Sequence, residues 1–155
     1  KAIPGKYTFI TASKDFKTHN NFTHDTSAVI YAVQSSGSLG RAHFYSGKFI
    51  ASGLTLIITN KKDISEDLNL KFLKYFLDAN KKKIIKQNSR GSSKITISKN
   101  NVKKMELPEY SKNEKQKIIE IMPIIEKLLN KNSQHINEMK NLFKSIFIRY
   151  KNLII

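Results

Sequence analysis

Glu138-Met139-Lys140 places a carboxylate two residues from a lysine, an order that metal-dependent nucleases use. Such a centre needs further acids close by, and the first 60 residues contain only Asp15 and Asp25. Met139 also falls on the apolar stripe of a C-terminal helix, which makes Glu138 and Lys140 its solvated flanks. His19, His24, His43 and His135 match no zinc spacing. There is no cysteine, so a thiolate site, a disulfide and a cysteine nucleophile are all excluded. Leu107-Pro108-Glu109-Tyr110 lacks the leading amide and second proline of the Asn/Asp-Pro-Pro-Tyr/Phe segment with which amino-methyltransferases hold a flipped base. No Gly-Lys-Ser/Thr phosphate loop, no glycine-rich nucleotide loop after a strand and no Gly-x-Ser-x-Gly elbow occurs. The residues predict a non-catalytic chain with no metal or cofactor of its own.

The polar turns offer a different chemistry. Ser13 and Lys14 lie in one turn, Gln34, Ser36, Ser38 and Arg41 in a second, and Asn88, Arg90 and Lys94 in a third. Each turn combines hydrogen-bonding side chains, pliable backbone and a cation. Arg41 or Arg90 can fork onto a guanine edge, and Gln34 or Asn88 can pair with adenine. Lys14, Lys48 and Lys94 are better suited to holding phosphates. These ten residues are the candidate DNA contacts.

The charge supports a polyanionic partner. The net charge is +16 and the pI about 10.0. Of the 28 basic residues, 25 are lysine, and only Arg41, Arg90 and Arg149 are arginine. Lysine, isoleucine and asparagine share A/T-rich codons, so part of this excess is explicable as genomic bias. The charge is also uneven. Residues 1–60 carry net +4, and residues 61–155 carry net +12.

Elements must hold those turns in place. At 155 residues and 39% hydrophobic content, the chain can bury a real core. Tyr7–Thr11, Ala28–Val33 and Leu54–Thr59 are rich in β-formers and predict strands. Ala42–Tyr45 and Lys48–Ala51 flank Ser46-Gly47, the signature of a two-residue hairpin. Ser35–Gly40 forms a turn with two glycines. Asn69 can cap a helix that puts Leu70, Leu73, Phe76 and Leu77 on one face. Lys94–Ile97 predicts a short strand, and Ser98 caps a short helix around Val102.

Ser111-Lys112-Asn113-Glu114 is a capping box that starts the C-terminal helical region. Pro123 is expected to break or kink its first helix. Beyond it, Ile125, Leu129, Asn132, Ile136, Met139, Phe143, Ile146, Tyr150 and Leu153 follow steps of four and three. That is a seam of about four heptads, the spacing with which helices wind around one another. Asn132 in the seam would fix register. The expected architecture is α+β: a globular domain over 1–110 with a twisted sheet and flanking helices, then a long coiled-coil-type helix over 111–155.

The order of these segments resembles the DNA specificity domain of type I restriction–modification S subunits, and related domains at the C-termini of single-chain type IIG enzymes. Gly5-Lys6-Tyr7-Thr8-Phe9-Ile10-Thr11-Ala12-Ser13 is similar to the family's G-x-Y-P-F-x-T-A-S segment, with Thr8 in place of the usual proline. Ser36-Gly37-Ser38 through Gly47-Lys48-Phe49-Ile50-Ala51-Ser52 is similar to its glycine turn and G-K-F-x-A-S strand. Leu70 to Phe76 resembles the aromatic helix that follows. Gly91-Ser92, Ile97-Ser98, Leu107-Pro108 and Glu114-Lys115-Gln116-Lys117-Ile118 resemble the closing G-S, I-S, L-P and E-x-Q-K-I series. The second proline of that series is absent.

The resemblance implies sequence-specific recognition of double-stranded DNA by a recognition domain with a spacer helix. It implies that two such units pair through their spacers to set the separation of a bipartite target. Catalysis is then expected from partners: an adenine methyltransferase (M) subunit with S-adenosylmethionine, and a restriction (R) subunit with Mg and ATP. The family domain starts some tens of residues earlier, so this copy is expected to be N-terminally short. No apolar run approaches the ~20 residues that span a bilayer. The absence of cysteine suits a reducing cytoplasm. The competing reading is a nonspecific RNA- or single-strand-binding module, with bases stacked on rings such as Tyr7 or Phe9.

Overall fold

Two apolar faces on one strand organise the first unit. In β3 (His24–Ala32) successive side chains point to opposite sides of the sheet. Ala28 and Ile30 enter one core with Ile10 and Phe49. Val29 and Tyr31, with Val33 just beyond the strand, enter another with Leu39, Ala42, Leu70, Leu77, Ile84 and Ile97. A strand covered on both faces must be apolar at every position, which is why Ala28–Val33 is an unbroken apolar run. Each fully buried Val or Ile contributes about 1.5–3 kcal/mol.

The computed structural model describes residues 2–34, 37–61, 67–90 and 95–131. Ser36, Lys94, Asn132, Ile136, Met139, Phe143, Ile146, Tyr150 and Leu153 therefore lie outside the described residues. The chain divides into two compact units, Lys1–Gln116 and Lys117–Ile155. The architecture is α+β, as expected.

The described sheet of the first unit has the order β2-β1-β4-β3-β5. Its strands are β1 (Tyr7–Ile10), β2 (Lys17–His19), β3, β4 (Ala42–Ala51) and β5 (Thr55–Ile58). β1 runs parallel to β4, and the other pairs are antiparallel. β2 escapes the sequence pattern because Lys17-Thr18-His19 is a polar edge strand with no apolar alternation. Gly5 packs beside it: a Cβ there would collide with the backbone of His19 and Asn20. That close approach accounts for the glycine that opens the first motif.

The hairpin expected at Ser46-Gly47 does not form. Residues 42–51 are one continuous strand, and residues 42–49 of it pair with β3, with Tyr45 opposite Ala28, Gly47 opposite Thr26 and Phe49 opposite His24. The polar start of β3, His24-Asp25-Thr26-Ser27, hid the partner for the second half of β4. Gly47 instead sits mid-strand at φ +112°. A side chain there would meet open space but would carry about 1–3 kcal/mol of backbone strain. The real hairpin joins β3 to β4. Ala32 N–H donates to the Arg41 carbonyl at 2.9 Å and Gly40 N–H donates to the Ala32 carbonyl at 2.8 Å, closing its loop.

Helix α1 (Leu68–Ala79) begins one residue before the expected cap. Asp67 holds the N-cap position without a side-chain cap bond. Asn69 lies inside the helix, where its Oδ1 accepts from Lys115 Nζ at 2.9 Å. Leu70, Phe72 and Leu77 are buried, and Leu73 and Phe76 pack against the larger core. Helix α2 (Lys81–Asn88) follows at once, and Ile84 reaches the same core. Short strands β6 (Ser89–Arg90) and β7 (Thr96–Ile97) pair, and Ser98 caps α3 (Lys99–Lys103) by accepting from Asn101 N–H at 3.1 Å.

The capping box forms as written. Ser111 N–H donates to Glu114 Oε2 at 2.8 Å, and Glu114 N–H donates to Ser111 Oγ at 3.3 Å. Helix α4 (Lys112–Lys131) then runs through Pro123 without a break. The proline forgoes one helical hydrogen bond. The helix nevertheless continues, because Ile118, Met122, Ile125 and Leu129 make a single stripe at 4-3-4 spacing across it. The apolar stripe of the described helix therefore begins seven residues before Ile125.

Tyr31 is fully buried, and among the described residues its hydroxyl has no hydrogen-bond partner. Burial, reinforced by the charge of Asp78, pushes its pKa up to about 12 from 10.0. The unfolded phenol ionises near 10, so stability present below that pH drains away as pH rises toward 12. Tyr31→Phe is expected to gain about 1 kcal/mol at pH 8, since it removes an unpaired polar group. It should also remove this alkaline loss. Urea denaturation at pH 8 and above pH 10 tests both, and a less stable Phe variant at pH 8 means the hydroxyl has a partner.

Candidate nucleic-acid interface

The turn after β1 is fixed by its own short side chains and by the next strand. Ser13 N–H donates to Thr11 Oγ1 at 3.2 Å, and Ser13 Oγ donates to the Asp15 carbonyl at 3.1 Å. Serine and threonine hydroxyls close such turns without help from a sheet. From β4, His43 Nε2 lies 2.9 Å from the Ser13 carbonyl. Arg41 Nη1 donates to the Ala12 carbonyl at 3.2 Å. Phe16 rests edge-on against His43, with ring centroids 5.0 Å apart. The turn is thus held at two carbonyls and one ring, while Ser13 and Lys14 remain exposed.

Arg41 also joins this turn to the β3–β4 loop, because Nη1 donates to Ser38 Oγ at 3.2 Å. Ser13, Lys14, Ser38 and Arg41 are therefore brought together. Gln34 sits at the other end of that loop. Its backbone bridges to Thr96 and its N–H donates to the Leu54 carbonyl at 3.2 Å. Ile97 N–H donates to the Val33 carbonyl at 3.0 Å, so β7 and the end of β3 are stitched together.

Asn88 ends α2, with its amide donating to the Ile84 carbonyl at 3.1 Å and its own carbonyl accepting from Asn101 at 2.8 Å. It borders a cleft of about 340 Å³ that Lys83 and Lys104 also line. Arg90 lies in β6, which pairs with β7. Lys48 stands apart on β4, seven residues beyond Arg41. Its ammonium lies 4.0 Å from Asp25 and 4.9 Å from the Phe22 ring centroid.

Two groups of this surface went unassigned in the sequence. His43 abuts aromatic residues and reads as structural, yet it is the second hold on the turn after β1. Lys81 belongs to the Lys81-Lys82-Lys83 run, past which Ile84 and Ile85 continue the apolar pattern. It opens α2 beside Arg41. Burial lowers its pKa, and the Arg41 charge lowers it further, against the pull of Asp78. Asp78 is itself engaged, with Oδ1 accepting from Ala42 N–H at 3.2 Å and Oδ2 3.3 Å from Lys74 Nζ. Thr8, where the family motif has proline, shares a 2.7 Å hydrogen bond with the Tyr45 hydroxyl.

The rings of Tyr7 and Phe9 are half-buried and already paired, with Phe22 at 4.8 Å and His19 at 6.1 Å between centroids. Among the described residues no group of three or more His, Cys, Asp or Glu side chains forms a metal site. None of the described helices is long and apolar enough to cross a membrane.

Residues 1–141 match the type I restriction modification DNA specificity domain family. No curated protein matches the sequence. The fold is similar to the crystal structure of a type I restriction–modification system S subunit from M. genitalium, with a TM-score of 0.61 at 18% identity. The likeness covers 82% of this chain and 33% of that one, so the chain spans about a third of that subunit's length.

His43 gives the interface a pH dependence of known sign. Burial, then the charges of Arg41 and Lys74, hold its pKa below 6.5, against the Ser13 contact and Asp78. As pH falls through the ordinary histidine range the unfolded chain takes up the proton first, so stability present above about pH 6.5 is lost below it. The wild-type melting temperature is expected to fall between pH 7.5 and pH 5.5 by more than that of His43→Gln. Equal falls would place the acid sensitivity elsewhere.

Proposed function

This chain belongs to the type I restriction modification DNA specificity domain family, and from that membership we propose that it reads one half of a bipartite DNA target and brings an adenine methyltransferase and an endonuclease to it. The family is the non-catalytic specificity component of these systems, and its work is sequence-specific DNA recognition. The match over residues 1–141 carries the reading. The turn after β1, bound at two carbonyls and facing outward with Ser13 and Lys14, is the kind of rigid polar surface that base recognition needs.

In this reading Ser13, Gln34, Ser36, Ser38, Asn88 and Arg90 meet base edges, while Lys14, Lys48 and Lys94 hold phosphates. S-adenosylmethionine, Mg and ATP are bound by the M and R subunits, and the complex works in the cytoplasm. The seam from Ile125 to Leu153 pairs with a second recognition unit, on another copy or elsewhere in a longer subunit, and spaces the two half-sites. A nonspecific single-strand binder would want open aromatic faces. The packing of Tyr7 against Phe22 and of Phe9 against His19 speaks against it.

Two measurements test this reading. With its methyltransferase partner present, the chain is expected to prefer a selected duplex over a scrambled one by ~10³-fold or more at physiological salt. Equal affinity for both at every salt concentration rules the reading out. Ile136→Asp with Ile146→Asp is expected to abolish self-association by putting charge into a dry seam. An unchanged sedimentation coefficient would count against helix pairing while leaving DNA recognition untouched.

A further inference from the structure

Lys81 packs on Gly40, the residue before Arg41, and feels the charge of Arg41. Gly40, at φ +74°, leaves room for α2 to close on the β3–β4 loop: a Cβ there would come within 3.2 Å of Lys81 Cγ and 3.3 Å of Ile85 Cδ1. The lysine stem thus lies along the loop, immediately beside Arg41. Asp78, the carboxylate of this neighbourhood, is already held by the Ala42 N–H and by Lys74. Lys74 and Lys81 both draw on it.

The guanidinium is anchored through one nitrogen. Both bonds, to the Ala12 carbonyl and to Ser38 Oγ, come from Nη1. Nη2 and Nε lie outside these two bonds, and a guanidinium presents its donors as a planar fork suited to phosphate oxygens. A lysine ammonium beside it supplies a point charge for the same anion. A phosphate between them would also relieve their mutual repulsion.

We propose that Lys81 and Arg41 together bind one backbone phosphate of the DNA, and that Arg41 passes this contact to the turn after β1 through the Ala12 carbonyl and Ser38. The inference rests on the DNA-reading function above and deepens it. Lys81 grips the duplex without regard to sequence. Arg41 is a positioning residue: the side chain that meets the phosphate also holds the turn that carries Ser13 and Lys14.

The two roles separate in one experiment on the chain with its methyltransferase partner present throughout. A duplex selected from a random pool by the wild-type chain and a scrambled duplex are titrated across a range of salt concentrations. Lys81→Gln is expected to weaken both duplexes alike and to lower the slope of log affinity against log salt by about one. Lys81→Arg restores the slope. Arg41→Lys keeps the charge and the slope but lowers the preference for the selected duplex by about tenfold, because a lysine cannot span both acceptors and the phosphate. Ser38→Ala, a milder change, lowers the preference in the same direction with an unchanged slope. Thermal melts check that each variant is folded.

An unchanged slope in Lys81→Gln overturns the phosphate contact. An unchanged preference in both Arg41→Lys and Ser38→Ala overturns the coupling. A wild-type chain with no preference defeats the DNA-reading function itself, and the phosphate pair then stands or falls on the Lys81→Gln slope.

Discussion

Burial of both faces of β3 is the constraint on which the first unit rests. Ala28 and Ile30 on one side, Val29 and Tyr31 on the other, commit the strand to two cores at once. A shift of one residue against β4 would exchange those sets, which differ in volume, so the register is strongly specified. The register in turn fixes where β3 ends and where Arg41 and His43 emerge at the start of β4. The surface turns inherit their positions from the apolar core, which Leu39 of the β3–β4 loop enters directly.

Hydrogen bonds then convert that placement into a shaped surface. Single contacts of this kind contribute only about 0.5–1.5 kcal/mol. Their value here lies in where they act. Arg41 and His43 hold two consecutive residues, Ala12 and Ser13, by their carbonyls, leaving the side chains of the turn outward. A loop bound by its backbone can change its side chains without changing its path.

What the residues disclosed and what they hid follow from the range of each interaction. The strand cores, the Ser98 cap and the capping box at Ser111 are local and were legible. β2, the polar half of β3 and the continuity of β4 depend on pairing partners far along the chain, which alternation over a few residues cannot reveal. Ser46-Gly47 misled for that reason: a glycine at φ +112° inside a strand carries the same letters as a hairpin turn. Pro123 does not end the helix, whose apolar stripe runs on from Ile118 to Leu129. Of the candidate contacts, Ser13, Lys14, Ser38 and Arg41 gather at one place, yet nothing in the sequence tied Arg41 to Ala12 or brought Lys81 beside it. That neighbourhood needed the packing of α2 on Gly40.

The lysines that open α2 bear on how the excess charge should be understood. Lys81, Lys82 and Lys83 stand at the positive end of a helix whose first turn has no acid. Each such placement is unfavourable by about 0.3–1 kcal/mol where it is not screened. The proximity of Arg41 adds to that cost. A/T-rich codons account for lysine being common across the chain, but they do not account for Lys74 and Lys81 both drawing on the already occupied Asp78. Departures from local stability rules gather where function requires them. A bound polyanion adds attractions that offset these repulsions, so the arrangement that costs the free protein stability favours a complex with DNA.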